Sequence, residues 1–480
     1  MNRQIVKLFG FLVVLYALLF GFTSYWSVFD SDSLEANIAN RRPLLEEQKI
    51  KRGTIFAHDG RTEIAVSRPH GHGTTEIYVR DYPEGSLFGN PIGYSFVERG
   101  RVGFEQSHND ELVGNKTEFL SVLDELQGHQ QEGDNIVSAL DAAAQRAAVD
   151  GLAGRRGAVV AMVPSTGEVR AMASFPEYDP NQVRNSQAFQ RFNTDESAPL
   201  FNRATQAGYP PGSTMKVVTA TAALDSGELS PDSTFSGRSP IEIEGVPLSN
   251  SGGEQFGTID MTTALTNSVN TWWAQAGEKL GKDTLFKYMD RFGFNQKPQL
   301  DLPGFQLATS GVFDGNRLLG PSNAIDIGRV AIGQERLRVT PLQMAEVAAA
   351  VANKGELMEP RLWSKVVDPD GRETNLDPAR QSRVMSEDTA SELNDMMQSV
   401  VNEGTGTAAA VSGIDVAGKT GTAEISEGVN DAWFIGFAPA DDPQIAIACV
   451  IEHTSGFGGP TCGPVFKAVA EQILGGDDSG

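Results

Sequence analysis

The sequence predicts an α+β fold in which one antiparallel sheet takes strands from both ends of the chain. A helix followed by a β-hairpin is predicted over 142–173, and a second pair of strands over 431–452. Between them, from 213 to about 360, the pattern is mostly helical. Strands thus flank a long helical insertion in the sequence. A single central sheet with helices on its faces would bury the apolar side chains of both strand pairs.

The first element is an apolar segment at the N-terminus. Residues 8–29 carry no charge, and a stretch of this length can cross a bilayer. Arg3 and Lys7 precede it and acidic residues follow from Asp30, which by the positive-inside rule predicts a cytoplasmic N-terminus and an extracytoplasmic remainder. A cleaved signal peptide is the alternative, but no A-x-A site follows promptly. We therefore predict a cytoplasmic tip and single transmembrane anchor over 1–29.

Residues 30–138 form the second predicted unit, a mixed α/β domain without a reactive cluster. The segment is polar and contains several turn signals, and the short alternating stretch Thr75–Val79 reads as a strand. Its predicted role is to space or dock the domain that follows, over 139–476.

The third unit opens with the helix and hairpin. Asp141 precedes Ala142–Leu152, which consists of strong helix formers. Strands are predicted over Ala158–Val163 and Glu168–Ala173, joined by the turn Pro164–Gly167. Near the C-terminus, strands are predicted over 431–437 and 444–452 and a final helix over about 464–474.

Ser213 is the first candidate for chemistry. The preceding Pro210-Pro-Gly212 forbids a helix, whereas the apolar run from Ser213 onward permits one. Lys216 then lies three residues on, on the same helix face. A serine hydroxyl needs an adjacent base to become a nucleophile, and a buried lysine of lowered pKa can serve. Alone, S-x-x-K is also compatible with a helix-capping serine and a solvated lysine.

Two further motifs follow. Ser268 and Asn270 stand two residues apart beside two tryptophans, which predicts a hydroxyl able to relay a proton and a carboxamide able to hold a substrate amide. Lys419-Thr-Gly-Thr422 offers a cation, two hydroxyls for a carboxylate, and at Gly421 a place where substrate can approach the backbone. Each motif is weak alone. Trp272 and Trp273 are predicted as core or groove wall.

The composition excludes several classes of function. With 62 acidic and 39 basic residues the net charge is -23, which argues against nucleic acid as a partner and against broad adhesion to anionic lipid. The six histidines show no metal-binding spacing and two cysteines cannot form a structural zinc site, so neither metal nor cofactor is predicted. Cys449 and Cys462, placed late in a strand and just before a helix, are a candidate disulfide that the sequence leaves open.

The order S-x-x-K, S-x-N, K-T-G-T resembles the penicillin-recognising serine transferases. Several other segments between about 140 and the C-terminus resemble that family as well: 140–145, 157–168, 171–181, 202–204, 333–334, 339–345 and 351–355. Arg52-Gly-Thr-Ile55 resembles the start of the pedestal domain of the monofunctional class B members. Within class B the chain is similar to a short actinobacterial form without extra C-terminal domains.

The resemblance implies a penicilloyl-serine transferase fold and a peptidoglycan D,D-transpeptidase activity without a cofactor. Ser213 would attack the penultimate D-alanine of a stem peptide, Lys216 would take its proton, and Ser268 would relay a proton to the leaving D-alanine. Asn270 would hold the substrate amide, and Lys419, Thr420 and Thr422 the terminal carboxylate. Backbone N–H groups of Ser213 and Thr422 would form an oxyanion hole, each contact contributing about 3 kcal/mol.

The family also implies partners: stem peptides as donor and amine acceptor, β-lactams as covalent inhibitors, and other proteins of cell-wall growth or division. Three alternatives stay open on the sequence. A D,D-carboxypeptidase would use the same residues with water as acceptor. A β-lactamase or β-lactam sensor would need a deacylation base or a signalling bundle of membrane helices. A scaffold of the cell-wall machinery would retain the motifs without activity.

Overall fold

The computed structural model describes residues 3–28, 45, 47–71, 76–114 and 132–476. Its α-helices are α1 (Arg3–Val28), α2 (Gly89–Ile92), α3 (Phe104–Ser107), α4 (Asn109–Val113), α5 (Ala142–Leu152), α6 (Ser186–Thr194), α7 (Arg203–Gln206), α8 (Met215–Asp225), α9 (Met261–Thr266), α10 (Asn270–Arg291), α11 (Ile327–Ala331), α12 (Pro341–Ala352), α13 (Glu387–Asn402) and α14 (Gly458–Gly476).

Its first eleven strands are β1 (Ile55–Phe56), β2 (Glu63–His70), β3 (Ile77–Asp81), β4 (Tyr94–Phe96), β5 (Gly100–Val102), β6 (Asn135–Ser138), β7 (Gly157–Met162), β8 (Val169–Phe175), β9 (Phe235–Ser236), β10 (Ile241–Ile243) and β11 (Val246–Leu248). The remainder are β12 (Thr258–Ile259), β13 (Gly311–Asp314), β14 (Arg317–Leu318), β15 (Leu337–Arg338), β16 (Glu356–Met358), β17 (Trp363–Val367), β18 (Glu373–Asn375), β19 (Arg380–Arg383), β20 (Ala417–Ser426), β21 (Val429–Ala438) and β22 (Ile445–Thr454).

The central sheet has five antiparallel strands in the order β20-β21-β22-β7-β8. Strands from residues 157–175 and from 417–454 therefore meet in one sheet, as the sequence predicts. Helix α12 packs on one face, and α5 and α14 pack on the other. Every residue of β7 is buried because both of its faces are covered. The predicted α+β fold class is confirmed.

The helix and the β-hairpin predicted over 142–173 are confirmed. Helix α5 has the predicted bounds, and the Asp141 side chain caps it by accepting a hydrogen bond of 2.7 Å from the backbone N–H of Ala144. This cap satisfies a helix donor that would otherwise lack a partner. Strands β7 and β8 differ from the prediction by one or two residues at their ends.

A second sheet has six strands in the order β18-β17-β6-β1-β2-β3. Four of its strands come from residues 55–138, whereas β17 and β18 come from 363–375. This sheet therefore takes strands from both sides of the boundary predicted at 138/139. Of the predicted strand Thr75–Val79, position 75 lies outside the described residues, and β3 begins at Ile77.

The N-terminal helix α1 is long and apolar, and its large side chains, such as Phe9 and Phe20, are exposed. The segment Arg3–Tyr25 is by length and composition able to cross a membrane. The acidic residues that follow it in the sequence, from Asp30, lie outside the described residues.

Two expectations need correction. The region 213–360 contains short strand pairs between its helices, and strands of two to four residues are too short to show an alternating pattern. Cys462 lies inside α14 rather than before a helix, and it forms no disulfide with Cys449 of β22. Both are buried free thiols, and the sulfur of Cys462 donates a hydrogen bond of 3.1 Å to the carbonyl of Ala432.

Candidate active site

Ser213 lies in a tight turn that leads into a buried helix. Gly212, at φ 54°, permits the turn, and residues 212–214 form one 3-10 turn before α8 begins at Met215. The hydroxyl of Thr214 donates a hydrogen bond of 2.8 Å to the carbonyl of Pro211 and closes the turn. The predicted helix start is confirmed, with a 3-10 first turn.

Lys216 is fully buried on α8, and its side-chain nitrogen reaches the second motif. Its Nζ lies 2.7 Å from Asn270 Oδ1, 2.7 Å from the carbonyl of Ser268 and 3.2 Å from Ser268 Oγ. Within the described residues, the Ser213 hydroxyl takes part in no hydrogen bond. Burial, and then the positive charge of Lys419, lower the pKa of Lys216 well below its usual range. Lys216 is therefore placed to exist as a neutral amine, able to accept a proton.

Ser268 occupies the short connection between α9 and α10, where its φ of 57° is the left-handed conformation that few non-glycine residues adopt. Asn270 begins α10, and its Nδ2 donates a hydrogen bond of 3.2 Å to the carbonyl of Ser249. The next turn is anchored in the core, because Trp272 and Trp273 are fully buried and each indole N–H donates to a backbone carbonyl. The prediction that these tryptophans belong to the core is confirmed.

The third motif lies on β20, the edge strand of the central sheet. Side chains alternate across a strand, so Thr420 and Thr422 share one face and Lys419 and Gly421 share the other. A Cβ on Gly421 would lie 2.7 Å from the carbonyl of Pro211, so only glycine allows the strand to approach the Ser213 turn this closely. The backbones of Gly212 and Thr422 are likewise in contact, since a Cβ on Gly212 would lie 2.9 Å from the Thr422 carbonyl.

Lys419 is fully buried beneath the groove rather than exposed at the edge of the strand. Its Nζ donates a hydrogen bond of 3.0 Å to the carbonyl of Thr420. Burial lowers the pKa of Lys419 to about 7. Lys419, the cation that the sequence predicts, is therefore only partly protonated near neutral pH.

The three motifs converge on a groove of about 700 Å³. Five of the predicted residues line it: Ser213, Ser268, Asn270, Thr420 and Thr422. Lys216 and Lys419 lie behind this wall, fully buried. A groove with a free serine hydroxyl, a buried amine and two threonine hydroxyls can carry out acyl transfer on a substrate that bears a carboxylate.

Other lining residues were not predicted from the sequence. Thr405 follows α13, and its Oγ1 lies 2.6 Å from Thr420 Oγ1, so the two hydroxyls share a hydrogen bond. Glu254, Phe256 and Phe457 also line the groove. No local pattern marks these positions, because they reach the groove through the packing of distant loops.

Two parts of the chain match known protein families. Residues 157–471 match the family described as penicillin binding protein transpeptidase domain. Residues 52–136 match the penicillin binding protein A dimerisation domain. The curated peptidoglycan D,D-transpeptidase PbpA of Mycolicibacterium smegmatis is 31% identical over 99% of both chains, and that of Mycobacterium tuberculosis is 30% identical over 99% of this chain and 100% of its own.

Solved structures show the same likeness. The ceftriaxone acyl-enzyme complex of penicillin-binding protein A from M. tuberculosis superposes with a TM-score of 0.80 at 30% identity, over 90% of this chain and 100% of that one. The penicillin G acyl-enzyme complex of the same protein gives a TM-score of 0.79.

Proposed function

We infer that this chain, which belongs to the penicillin-binding protein transpeptidases, is a peptidoglycan D,D-transpeptidase that works through an acyl-enzyme on Ser213. One observation carries the assignment of residues. Lys216, a buried lysine of lowered pKa, contacts Ser268 and Asn270 behind the wall of the groove that Ser213 lines. The full-length likeness to D,D-transpeptidases supports the class of reaction.

The acylation step begins with Ser213. Its Oγ attacks the penultimate D-alanine carbonyl of a stem peptide, and the proton passes to neutral Lys216. The backbone N–H groups of Ser213 and Thr422 would stabilise the resulting oxyanion, which the contact between these two backbone segments supports. The C–N bond then breaks, and the leaving D-alanine takes a proton through Ser268, whose Oγ lies 3.2 Å from Lys216 Nζ.

The terminal carboxylate of the donor would lie against Thr420 and Thr422, whose side chains line the groove. An anion placed there would raise the pKa of Lys419 and keep that lysine charged, because an opposite charge favours the charged form. Asn270 would hold the substrate amide. The amine of a second stem peptide then attacks the acyl-enzyme, forming the cross-link and freeing Ser213, while β-lactams would acylate the same serine.

The remaining proposals concern the whole chain. Helix α1 would anchor the protein by a single pass, with the N-terminus in the cytoplasm and both domains outside. The length and apolar composition of α1 support this. Residues 30–138 would form a non-catalytic domain that docks on other cell-wall synthesis or division proteins, and 139–476 the transpeptidase domain.

Intact-mass spectrometry of the full chain with excess penicillin tests the nucleophile. We expect one stable penicilloyl adduct on the wild type and on Ser251→Ala, and none on Ser213→Ala. Ser251 is a matched control because it also lines the groove. An adduct on Ser213→Ala would refute the assignment, and rapid release of hydrolysed drug would indicate a β-lactamase.

A second assay separates transpeptidase from D,D-carboxypeptidase. D-Alanine release from a stem peptide is measured with and without an amine acceptor. We expect the acceptor to divert the acyl group into a cross-linked product. Release of free acid alone, at every acceptor concentration, would favour the carboxypeptidase.

A further inference from the structure

Beyond Thr422, strand β20 continues the wall of the groove with an acidic residue. Thr420, Thr422 and Glu424 all line the groove, whereas the intervening Gly421 and Ala423 do not. This is the alternation of a regular strand, and the pairing of β20 with β21 stays in register up to Glu424. The side chain of Glu424 therefore faces the same groove as the two threonines, about 7 Å beyond Thr422 along the strand.

The charge on the lining of this groove has a single sign. Of the described residues that line it, two are charged, Glu254 and Glu424, and both are carboxylates. Glu424 is exposed and lies opposite the neutral Asn430 in the pairing of β20 with β21. Within the described part of the chain, Glu424 forms no ion pair. Its negative charge is therefore available to a ligand in the groove.

The proposed binding of the donor decides which of its groups would come near Glu424. The terminal carboxylate would lie against Thr420 and Thr422, and the reacting carbonyl at the N–H groups of Ser213 and Thr422. Because β20 is the edge strand of its sheet, an extended donor can lie along it, with its C-terminus toward Thr420. A peptide advances about 3.3–3.6 Å per residue, so the residue before D-Ala-D-Ala lies one step toward Glu424, and its side chain can span the remaining distance.

The chemistry of the substrate supplies a cation at this place. Stem peptides serve both as donors and as amine acceptors, so a donor carries the same amine as an acceptor. The last two residues of the donor are alanines, and the amine therefore belongs to the part of the stem that precedes them. A side-chain amine is protonated near neutral pH, and a carboxylate accepts charged hydrogen bonds from it.

We propose that Glu424 is a specificity-determining residue that binds the side-chain ammonium of the donor stem peptide. This inference rests on the proposed transpeptidase function. A stem whose amine is already cross-linked carries an uncharged amide in its place, so Glu424 would favour donors that have not yet served as acceptors. The contact would also keep the amine of the donor protonated, a form that cannot attack the acyl-enzyme.

Competition with penicillin acylation measures this contact without requiring turnover. The full chain is mixed with penicillin G and increasing amounts of Nα-acetyl-lysyl-D-alanyl-D-alanine, or of the same peptide acetylated on Nε, and the penicilloyl adduct is followed by intact-mass spectrometry. We expect the wild type to bind the peptide with the free ammonium about threefold to fivefold more tightly, the upper range for an exposed ion pair. Glu424→Gln should remove this difference, and Glu424→Lys should reverse it.

The controls separate a specific contact from general charge. Glu427 lies in the turn after β20 and outside the groove lining, so Glu427→Gln removes the same charge and should keep the preference for the ammonium. Acylation by penicillin G alone should be unchanged in all three variants, since penicillin G carries no ammonium.

Three results would overturn the proposal. These are equal competition by the two peptides or none by either in the wild type, a preference that survives in Glu424→Gln, and a preference that Glu427→Gln removes as completely. A wild type that forms no penicilloyl adduct would refute the proposed function, and with it this inference.

Discussion

Two buried lysines dominate the site at the scale of single residues. Lys216 and Lys419 are both fully buried, and neither forms an ion pair with a carboxylate within the described residues. Burial therefore disfavours the charge of each lysine, and the pKa of both is lowered. The two proposed roles need opposite protonation states, since Lys216 would have to be neutral to accept a proton and Lys419 charged to attract a carboxylate.

The pH dependence of penicillin acylation follows from these opposite needs. The second-order rate constant reports the free protein and should rise with pH as Lys216 loses its proton. It should fall again near pH 7, where Lys419 loses its own proton. Because arginine stays charged, Lys419→Arg should move the alkaline limb to much higher pH, as stopped-flow acylation would show. An unchanged alkaline limb would assign it to another group.

Asn270 is predicted to keep Lys216 in its neutral, deprotonated form. Its Oδ1 lies 2.7 Å from Lys216 Nζ, so Asn270→Asp would place a negative charge beside the amine and raise the pKa of Lys216. We expect slower acylation at pH 7, by about tenfold or more, and an acidic limb of the pH profile that is displaced to higher pH while the alkaline limb remains. Asn267→Asp, in the same groove but bonded to Thr263, is the matched control. A uniform loss at all pH values would indicate a purely steric role.

The residues of the site could be predicted from the sequence where they belong to short motifs of neighbouring residues. Ser213, Ser268, Asn270, Thr420 and Thr422 line one groove, in agreement with the spacing of the three motifs. The bonding of Lys216 to the second motif was not predicted, because it depends on how α8 packs against α10. The shared hydrogen bond of Thr405 and Thr420 likewise depends on a loop after α13.

At the scale of elements, the approach of an edge strand to a helix start shapes the site. Strand β20 reaches the Ser213 turn through Gly421, where a side chain would meet the carbonyl of Pro211. Secondary structure was well predicted where patterns are long, as in α5. It was poorly predicted between α8 and α12, because strands such as β12 have only two residues.

Gly421→Ala tests this approach. The added methyl would lie 2.7 Å from a backbone oxygen that cannot easily yield, so β20 must move away from Ser213. We expect the free energy of unfolding to fall by about 1–3 kcal/mol. We also expect the acylation rate to fall by more than the smaller fraction of folded protein would explain. Gly320→Ala, at a glycine with open space around it, should leave both unchanged. Normal acylation by Gly421→Ala would show that the close approach is dispensable.

At the scale of the whole molecule, a buried histidine forms an ion pair that joins the N-terminal domain to the transpeptidase domain, in addition to the more exposed pair of Arg146 with Glu84. His108 Nε2 of the first lies 3.3 Å from Asp301 Oδ2 of the second. The imidazole packs between the rings of Phe104 and Trp363, at centroid distances of 4.1 and 5.3 Å. Burial alone would lower the pKa of His108, but Asp301 and then Glu111 raise it to about 8.

The domain contact should therefore weaken in mild alkali. Because the pKa of His108 in the folded protein exceeds its value in the unfolded chain, its stabilisation is complete below about pH 6.5 and is lost as pH rises through 8. The contribution is about 1–2 kcal/mol. We expect the thermal midpoints of the wild type and His108→Gln to differ at pH 6 and to converge by pH 9. A constant difference over this range would exclude titration of His108 as the cause.

The shared six-stranded sheet has a consequence for synthesis. Strand β6 pairs with β1 on one side and with β17 on the other, so one of its edges is completed only by residues from Trp363 onward. A chain emerging N-terminus first must hold that edge unpaired while most of the catalytic domain is still being made. An open strand edge invites pairing with other chains. A chaperone would therefore be needed while only the N-terminal half of the chain has been made. A chain truncated before residue 363 should aggregate rather than fold as a free N-terminal domain.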